Sequence, residues 1–504
     1  MNTKCHMKLK DKLSREVVEY KGNRQGLVRS SGHFKVYINP ALLSLNNSRL
    51  GFNLGSLCIT AVCIADDTYL VSGSPSGLQG ALDIISHYAR RYQLRFNADK
   101  TKIVVTGSKL DMAFYKDTKP WTLNGEQVNV VDENEHLGLV VAGCDEEQLN
   151  VDKNIVKCRN SVFALLGPAF SFRCLLSPAV QIHLWRTCNL PRLLSGLPAL
   201  PIRPANLKSL RVFQNKMLRG FLKLSKSSPI PGLYFLLGEL PVDGVLHIRT
   251  LGLFHNILSN PGLTIHNMVA YILKMCDMNS TTWSNHVQLL CIQYNLPSPL
   301  SLLQDRFLTV SKLDWNTLVR TKVTAWHERQ LRELSVKNSK MRYLNVQLSG
   351  LSGRLHPVLH NIFTTQDAKK LRLHLKFLTC DFLCNETLSN QKPSISPACL
   401  LCKEPVDTIE HILVSCMAMS EVRSRLYPEL VNTVLQVQPS CLILQHTPPP
   451  PILAQFILDC SSLNLPEQYR IPIHNPNITN IYRISRDWCF GIGSERTRKL
   501  RNLK

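Results

Sequence analysis

The stretch of sequence that decides the fold of this chain is AVCIADDTYLV, residues 61–71. Its β-branched and aromatic residues favour two strands, so we predict a β-hairpin with Asp66 and Asp67 at the turn. Two carboxylates at one tip repel each other and gain nothing from burial. They are therefore either solvated turn residues or half of a cation site. Oxygen ligands suit Mg²⁺, and two Mg²⁺ ions about 4 Å apart can promote phosphoryl transfer.

The composition limits the class of protein. With 504 residues the chain is too long for a single core, and its net charge of +23 points to a polyanionic partner. Nucleic acid is the first candidate and a membrane surface the second. Without a spanning segment or a signal peptide, we expect a soluble intracellular protein, nuclear or cytoplasmic and not secreted. Seventeen scattered cysteines fit a reducing compartment better than a disulfide framework.

Regular elements are expected on both sides of the hairpin. Apolar residues recur at helical spacing over 78–92, and a turn leads into a β-branched strand over 96–105. Residues 136–141 predict one further strand, which contains Gly138. Upstream, glycines at both ends of residues 22–26 would let the backbone approach a ligand closely, although an ordinary loop has the same composition.

These motifs resemble a known family when they are taken in order. Gly-x-Arg-Gln-Gly, Ala-Asp-Asp, Asn-x-x-Lys-Thr-Lys and Leu-Gly follow one another as in the reverse transcriptase palm of non-LTR (LINE-type) retrotransposons. The resemblance implies that Arg24, Gln25 and Gly26 lie beside the incoming nucleotide and the template. It also implies that Asp66 and Asp67 bind the catalytic Mg²⁺.

The same resemblance assigns Lys100 to the motif near the leaving pyrophosphate, and Leu137 with Gly138 to the primer-gripping hairpin. It implies an RNA-directed DNA polymerase that uses an RNA template, a DNA primer and dNTPs.

Two departures from the family pattern bear on the expected activity. Ile64 stands where the family usually has an aromatic residue, and the short segment before Arg24 leaves no room for a further metal-binding aspartate or for fingers.

We therefore expect either a fragment of such a polymerase with impaired activity, or a noncatalytic remnant that binds nucleic acid. Whether the chain is an enzyme stays open at this point. A helical interaction protein that binds no nucleic acid is a third possibility, which the positive charge disfavours.

The chain turns helical after about residue 150, in a region that resembles the thumb of LINE-type proteins. An amphipathic helix is expected over residues 206–223, with Leu210, Phe213, Met217 and Phe221 on its buried face. Five cations lie largely off that face: Lys208, Arg211, Lys216, Arg219 and Lys223. They could contact a nucleic-acid backbone or simply form a solvated surface.

A second informative motif consists of Cys399, Cys402, His411 and Cys416. Two cysteines separated by two residues can hold one ion from a tight turn, and a histidine and a third cysteine can complete a zinc tetrahedron from a short helix. Three thiolates and one imidazole leave no open position, so the Zn²⁺ should be structural. The motif resembles the Cys-Cys-His-Cys zinc knuckle that follows the polymerase in LINE-type proteins.

The predicted fold class is α+β, with small sheets at the beginning and helices after them. A run of prolines at 448–451 predicts an extended linker, and residues 496–504 predict a disordered basic tail. The predicted organisation is a partial palm at 1–148, a thumb-like helical region at 149–235, a helical spacer at 236–390, a zinc knuckle at 391–430, and a linker with a basic tail at 431–504.

Overall fold

The computed structural model describes residues 3–19, 29–65, 67–107, 114–115, 121–170, 176–275, 281–304, 310–344, 346–347, 349–444 and 446–503. The chain divides into two compact units. Unit 1 comprises Met1–Glu146 with Pro261–Met275, and unit 2 comprises Glu147–Asn260 with Cys276–Lys504. None of the helices within the described ranges combines the length and the apolar character that a bilayer crossing requires.

Unit 1 contains the strands. They are β1 (Thr3–Cys5), β2 (Lys8–Leu9), β3 (Lys12–Leu13), β4 (Val17–Glu19), β5 (Phe52–Leu54), β6 (Leu57–Ile59), β7 (Ala61–Ile64), β8 (Asp67–Leu70), β9 (Lys102–Val104), β10 (Trp121–Leu123), β11 (Glu126–Val131), β12 (Glu133–His136) and β13 (Leu139–Ala142). Antiparallel pairs join β1 to β4, β2 to β3, β5 to β6, β7 to β8 and β12 to β13. The remaining sheet has the order β10-β11-β9, in which β11 and β9 run parallel.

Helices make up most of the rest of the described chain, which agrees with the predicted α+β class. Three belong wholly to unit 1: α1 (Ser30–Ser48), α2 (Pro75–Tyr92) and α9 (Thr264–Met275). The others are α3 (Glu146–Phe170), α4 (Pro178–Leu184), α5 (Leu190–Leu193), α6 (Pro204–Leu222), α7 (Ile230–Leu237), α8 (Val242–Leu258), α10 (Trp283–Gln293), α11 (Pro299–Gln304), α12 (Lys312–Val336), α13 (Thr365–Leu378), α14 (Asn385–Gln391), α15 (Ser420–Val437), α16 (Pro450–Leu458) and α17 (Ile478–Arg501).

The core of unit 1 forms where α2 packs against α1 and the three-stranded sheet. The predicted helix over 78–92 is confirmed, and it begins at Pro75 because the Ser74 hydroxyl accepts a hydrogen bond from the Gly77 amide. The side chain of Gln79 bonds both to the backbone amide and to the carbonyl of Thr122, at 3.2 and 3.0 Å. These bonds set the position of α2 along β10.

The predicted hairpin at the aspartates is confirmed, with one difference in its turn. Strand β7 pairs with β8, and Ile64 lies opposite Asp67. Asp67 is therefore the first residue of β8 and not a turn residue. Ala65, the first residue of the connection, has a φ of 55°. Asp66 lies outside the described residues.

The single strand predicted over 136–141 is wrong. The segment forms two strands, β12 and β13, joined by Leu137 and Gly138. Both joining residues have positive φ angles, 50° and 84°. A two-residue hairpin turn in which both residues have positive φ matches the twist of the strands, and glycine adopts its second position without strain.

Unit 2 is built around one large apolar core. Trp185, Phe221, Phe377 and Trp488 are among its completely buried side chains. Helix α17 packs along both α13 and α15, and α12 packs against α8. The predicted helix over 206–223 is confirmed as α6, and all four residues of its expected apolar face are buried.

Two expectations about the C-terminal region are corrected. Prolines 450 and 451 form the first turn of α16 and not a linker, because the first turn of a helix needs no backbone N–H from proline. Residues 496–501 are not a disordered tail but the end of α17. Arg496, on this last part of the helix, is only 3% exposed.

The loop after α6 is fastened to the end of α13 through one carboxylate. Asp381 accepts hydrogen bonds from the hydroxyls of Ser225, Ser227 and Ser228, and lies 3.4 Å from the ammonium group of Lys340. Burial by itself would raise the pKa of Asp381, but the three serine hydrogen bonds and the lysine lower it to about 2.

We expect Asp381→Asn to destabilise unit 2 by about 2 kcal/mol at pH 7, because an amide cannot accept all of these charge-assisted bonds. The pKa of Asp381 is lower in the folded state than the unfolded value of about 3.9. Its contribution is thus present above about pH 4 and lost as the pH falls towards 2. The difference in thermal midpoint between wild type and Asp381→Asn should therefore shrink as the pH falls from about 4 towards 2.

The exposed carboxylate of Asp152, on α3, provides the control for the same change of charge. Asp152→Asn should alter the thermal midpoint little, both at pH 7 and at the acidic pH values of that interval. An equal loss of stability in both variants would contradict the role given to the Asp381 bonds.

Candidate functional site

The residues assigned to the palm motifs lie in unit 1, but not all of them belong to the described chain. Arg24, Gln25 and Gly26 fall outside it, as does Asp66. The carboxylate of Asp67 is exposed at the start of β8. Of the predicted metal ligands in this region, the structure therefore describes the position of Asp67.

Lys100 lies in the turn that precedes β9. Its backbone amide donates to the side chain of Asn97 at 3.2 Å, and the Thr101 hydroxyl donates to the Asn97 carbonyl at 2.8 Å. These bonds fix the turn and leave the Lys100 side chain exposed. Within the described part of unit 1, no ion pair joins Lys100 to Asp67.

The two hairpins that carry the palm motifs are neighbours. The ring of Tyr69, on β8, lies 5.3 Å from the ring of His136 at the end of β12. His136 directly precedes Leu137 and Gly138, and Leu137 is 53% exposed. The structure therefore brings the aspartate hairpin and the hairpin assigned to the primer grip side by side, a contact that the sequence patterns did not predict.

The five cations assigned to α6 do not form a uniform stripe. Lys208, Arg211 and Lys216 are exposed, whereas Arg219 and Lys223 are partly buried. Burial lowers the pKa of both Arg219 and Lys223.

Both arginines of this set already contact other groups of the same chain. The guanidinium of Arg211 is 3.5 Å from the carboxylate of Asp243, and Arg219 donates to the backbone carbonyl of Ser228 at 3.1 Å. Lys208 and Lys216 are consequently the members of the set best placed for an external anion.

The predicted metal ligands converge in unit 2. The ligand atoms of Cys399, Cys402, His411 and Cys416, here called the Cys/His cluster, all lie within 4.8 Å of one another. The Sγ atoms of Cys399 and Cys416 are 4.0 Å apart, and those of Cys402 and Cys416 are 3.7 Å apart. The Cys402 Sγ is 3.3 Å from Nε2 of His411.

These separations fit a tetrahedral ion. Thiolates that bind zinc at about 2.3 Å lie a little under 4 Å from each other in a tetrahedron. Cys399 and Cys416 are fully buried, and His411 is nearly so. The cluster could therefore hold a metal ion, and its soft, closed ligand set suits Zn²⁺.

Local backbone geometry brings the residues of the cluster together. The amide of Lys403 donates to the Cys399 carbonyl at 2.9 Å, and Lys403 has a φ of 67°, so the chain turns sharply after Cys402. His411 begins a single π-helical turn, His411–Ser415, and the amide of Cys416 donates to the His411 carbonyl at 2.7 Å. This wider turn sets the spacing of the last two ligands.

Arg496 of α17 completes the surroundings of the cluster, and the sequence reasoning missed it. Its guanidinium lies 3.7 Å from the Sγ of Cys399 and donates to the carboxylate of Asp407 at 2.5 Å. Asp407 is fully buried and also accepts from the Asn385 amide at 3.0 Å. The motif contains no signal for this arginine, which lies 97 residues after Cys399.

The ionisation of the thiols reflects these contacts. Burial alone would raise the pKa of Cys399, but hydrogen bonds from the backbone of Cys402 and Leu401 and from Arg496 lower it. Burial and the neighbouring Cys399 charge raise the pKa of Cys416 to about 12. A bound cation would relieve this repulsion, because it stabilises several thiolates at once.

Comparison with known proteins concerns unit 1. Residues 2–141 match the family model described as reverse transcriptase (RNA-dependent DNA polymerase). No curated protein matches the chain. The matched segment includes both neighbouring hairpins and the turn that carries Lys100. Over this segment the chain is similar to that family.

Proposed function

We propose that residues 1–148 are the palm segment of a reverse transcriptase of the non-LTR (LINE-type) retrotransposon group. The observation that carries the proposal is the family match over residues 2–141, which contains the adjoining hairpins of Asp67 and of Leu137 with Gly138. The order of the motifs along the sequence favours the LINE-type subgroup within that family.

In this proposal the roles of the palm residues follow from the resemblance. Asp66 and Asp67 would supply carboxylates for Mg²⁺, which, when bound, neutralises charge on the nucleotide phosphates. Lys100 would lie near the leaving pyrophosphate. The exposed turn of Leu137 and Gly138 would contact the primer.

The Arg-Gln-Gly motif completes this set. Arg24, Gln25 and Gly26 would hold the nucleotide and the template in place.

We further propose that the chain polymerises poorly by itself. Two-metal catalysis requires several carboxylates that are held in place before the substrate binds. Of the two carboxylates assigned to this site, the structure describes Asp67, which is exposed at the start of β8.

Primer extension tests this proposal. If the proposed impairment holds, purified chain should extend an oligo(dT) primer on poly(rA) weakly at best, with Mg²⁺ or with Mn²⁺. Asp67→Ala should reduce any such activity to background, while Asp83→Ala, which removes an exposed carboxylate of α2, should leave it unchanged. Robust extension that Asp67→Ala abolishes would refute the proposed impairment and would establish the palm assignment.

A second candidate function, noncatalytic binding of nucleic acid, is favoured by α6. Lys208 and Lys216 are exposed on the helix while its apolar face is buried. Such an arrangement could follow a phosphate backbone, in agreement with the net charge of +23.

Filter binding at increasing salt concentrations tests this function independently of catalysis. We expect the affinity for single-stranded RNA to fall steeply with salt, with a slope that becomes shallower by about 1.4 in Lys208→Gln/Lys216→Gln. The matched pair Lys312→Gln/Lys322→Gln, two exposed lysines of α12, should keep the wild-type slope. Identical slopes in both pairs would exclude α6 from the interface.

We also propose that the Cys/His cluster is a structural zinc site. Its support is the tetrahedral spacing of three thiols and one imidazole, together with their burial. A site with four protein ligands has no position for a substrate, so its role would be to stabilise unit 2.

Metal analysis of the purified chain should find one zinc ion per molecule. We expect Cys402→Ser to lose that ion and to lower the thermal midpoint, because a serine hydroxyl is a poor ligand for Zn²⁺. Cys188→Ser, at an exposed cysteine outside the cluster, should retain the full zinc content. If Cys402→Ser kept one equivalent of zinc with unchanged stability, the assignment would be wrong.

A further inference from the structure

Unit 2 contains a large open groove beside the Cys/His cluster, with a volume of about 1120 Å³. One wall is the segment from the end of α13 to α14, and another is the last turn of α17. A third wall comes from the turn of the cluster itself, through Leu400 and Lys403. Because Lys403 directly follows Cys402, the same turn that would hold the metal also shapes this groove.

The groove is strongly positive. Its charged lining consists of five cations and one carboxylate: Lys340, Lys376, Lys403, Arg496, Arg501 and Asp381. The carboxylate is already satisfied by serine hydroxyls and one lysine, and the guanidinium of Arg496 is bound to Asp407.

Three of the cations remain available for a ligand. Lys376, Lys403 and Arg501 form no ion pair within the described part of the chain. Burial lowers the pKa of Lys376, the nearby charge of Arg372 lowers it further, and the charge of Asp381 raises it. An anion bound here would offset the repulsion between Lys376 and Arg372.

The groove also presents apolar side chains to solvent. Leu383 is 65% exposed, Leu400 is 50% exposed and Leu503 is 62% exposed. Phe382 also lines the groove, and its ring stacks on Phe377 with centroids 4.0 Å apart. The lining thus combines positive charge with exposed apolar surface.

We propose that this groove binds single-stranded nucleic acid, with phosphates at Lys376, Lys403 and Arg501 and with bases against the exposed leucines. A single strand can present its phosphates and the faces of its bases together, whereas a duplex keeps its bases stacked inside. The volume exceeds that of a usual small-ligand pocket, so several nucleotides can enter. The inference rests on the proposed binding of nucleic acid and locates it in unit 2.

The test uses the full chain and fluorescence anisotropy with a fluorescein-labelled 12-nucleotide oligouridylate. The triple variant Lys376→Gln/Lys403→Gln/Arg501→Gln removes the free cations of the groove. A matched triple variant, Lys312→Gln/Lys322→Gln/Arg329→Gln, removes two lysines and one arginine from exposed positions on α12. Circular dichroism and thermal unfolding establish that both variants are folded.

We expect the groove variant to bind at least about tenfold more weakly than the control variant at 100 mM salt. The slope of log affinity against log salt should become shallower by about 2, since three phosphate contacts are lost. A single substitution at an exposed position, Lys403→Glu, should weaken binding in the same direction. With a 4-thiouridine oligonucleotide, photo-crosslinks should map to peptides 376–403 and 496–503.

Equal affinity of the groove and control variants would overturn the groove assignment while leaving the binding of nucleic acid by the chain intact. If wild-type protein bound no oligonucleotide at low salt, both the groove and the proposed nucleic-acid function would fail. A fluorescent polyglutamate of the same charge should bind much more weakly than the oligouridylate. Comparable binding of the peptide would overturn the choice of nucleic acid as the ligand.

Discussion

The architecture of unit 2 depends on one buried contact, in which Arg496 bridges Asp407 and Cys399. Arg496 is 3% exposed and Asp407 is fully buried, so water solvates these two charges very little. A buried charge that loses its partner costs several kcal/mol. The contact therefore holds the C-terminal part of α17 against the turn that carries the first two cysteines.

Other bonds from α17 reinforce the same placement. The indole N–H of Trp488 donates to the carbonyl of Leu413 at 3.1 Å, and the ammonium group of Lys499 donates to the carbonyl of Ala418 at 2.8 Å. Both carbonyls belong to the segment around His411 and Cys416. The Cys/His cluster is consequently built into the core of unit 2. The turn of the cluster forms one wall of the groove beside it, and α17 forms another.

Unit 1 is organised differently, since its strands are short and most of them pair with the next strand along the chain. The aspartate hairpin, helix α2 and the strand after Lys100 could be predicted because apolar periodicity and turn residues act within a few positions of each other. The apolar pattern alone wrongly predicted one strand across Leu137 and Gly138, because an apolar run does not show where the backbone adopts positive φ, whereas the family resemblance assigned both residues to a hairpin. The contact of Tyr69 with His136 could not be predicted, because the two residues are far apart in the sequence.

The sequence by itself determined the hairpin of Asp67, the amphipathic face of α6 and the four members of the Cys/His cluster, since residue type and local spacing specify each of them. Only the tertiary structure decided that the basic end of the chain is an ordered helix, that Arg496 meets Cys399, and that Lys376, Lys403 and Arg501 line one groove. The physical reason is the same in each case. Burial and charge pairing act between residues brought together by packing, and no local pattern records which distant side chain will satisfy a buried charge.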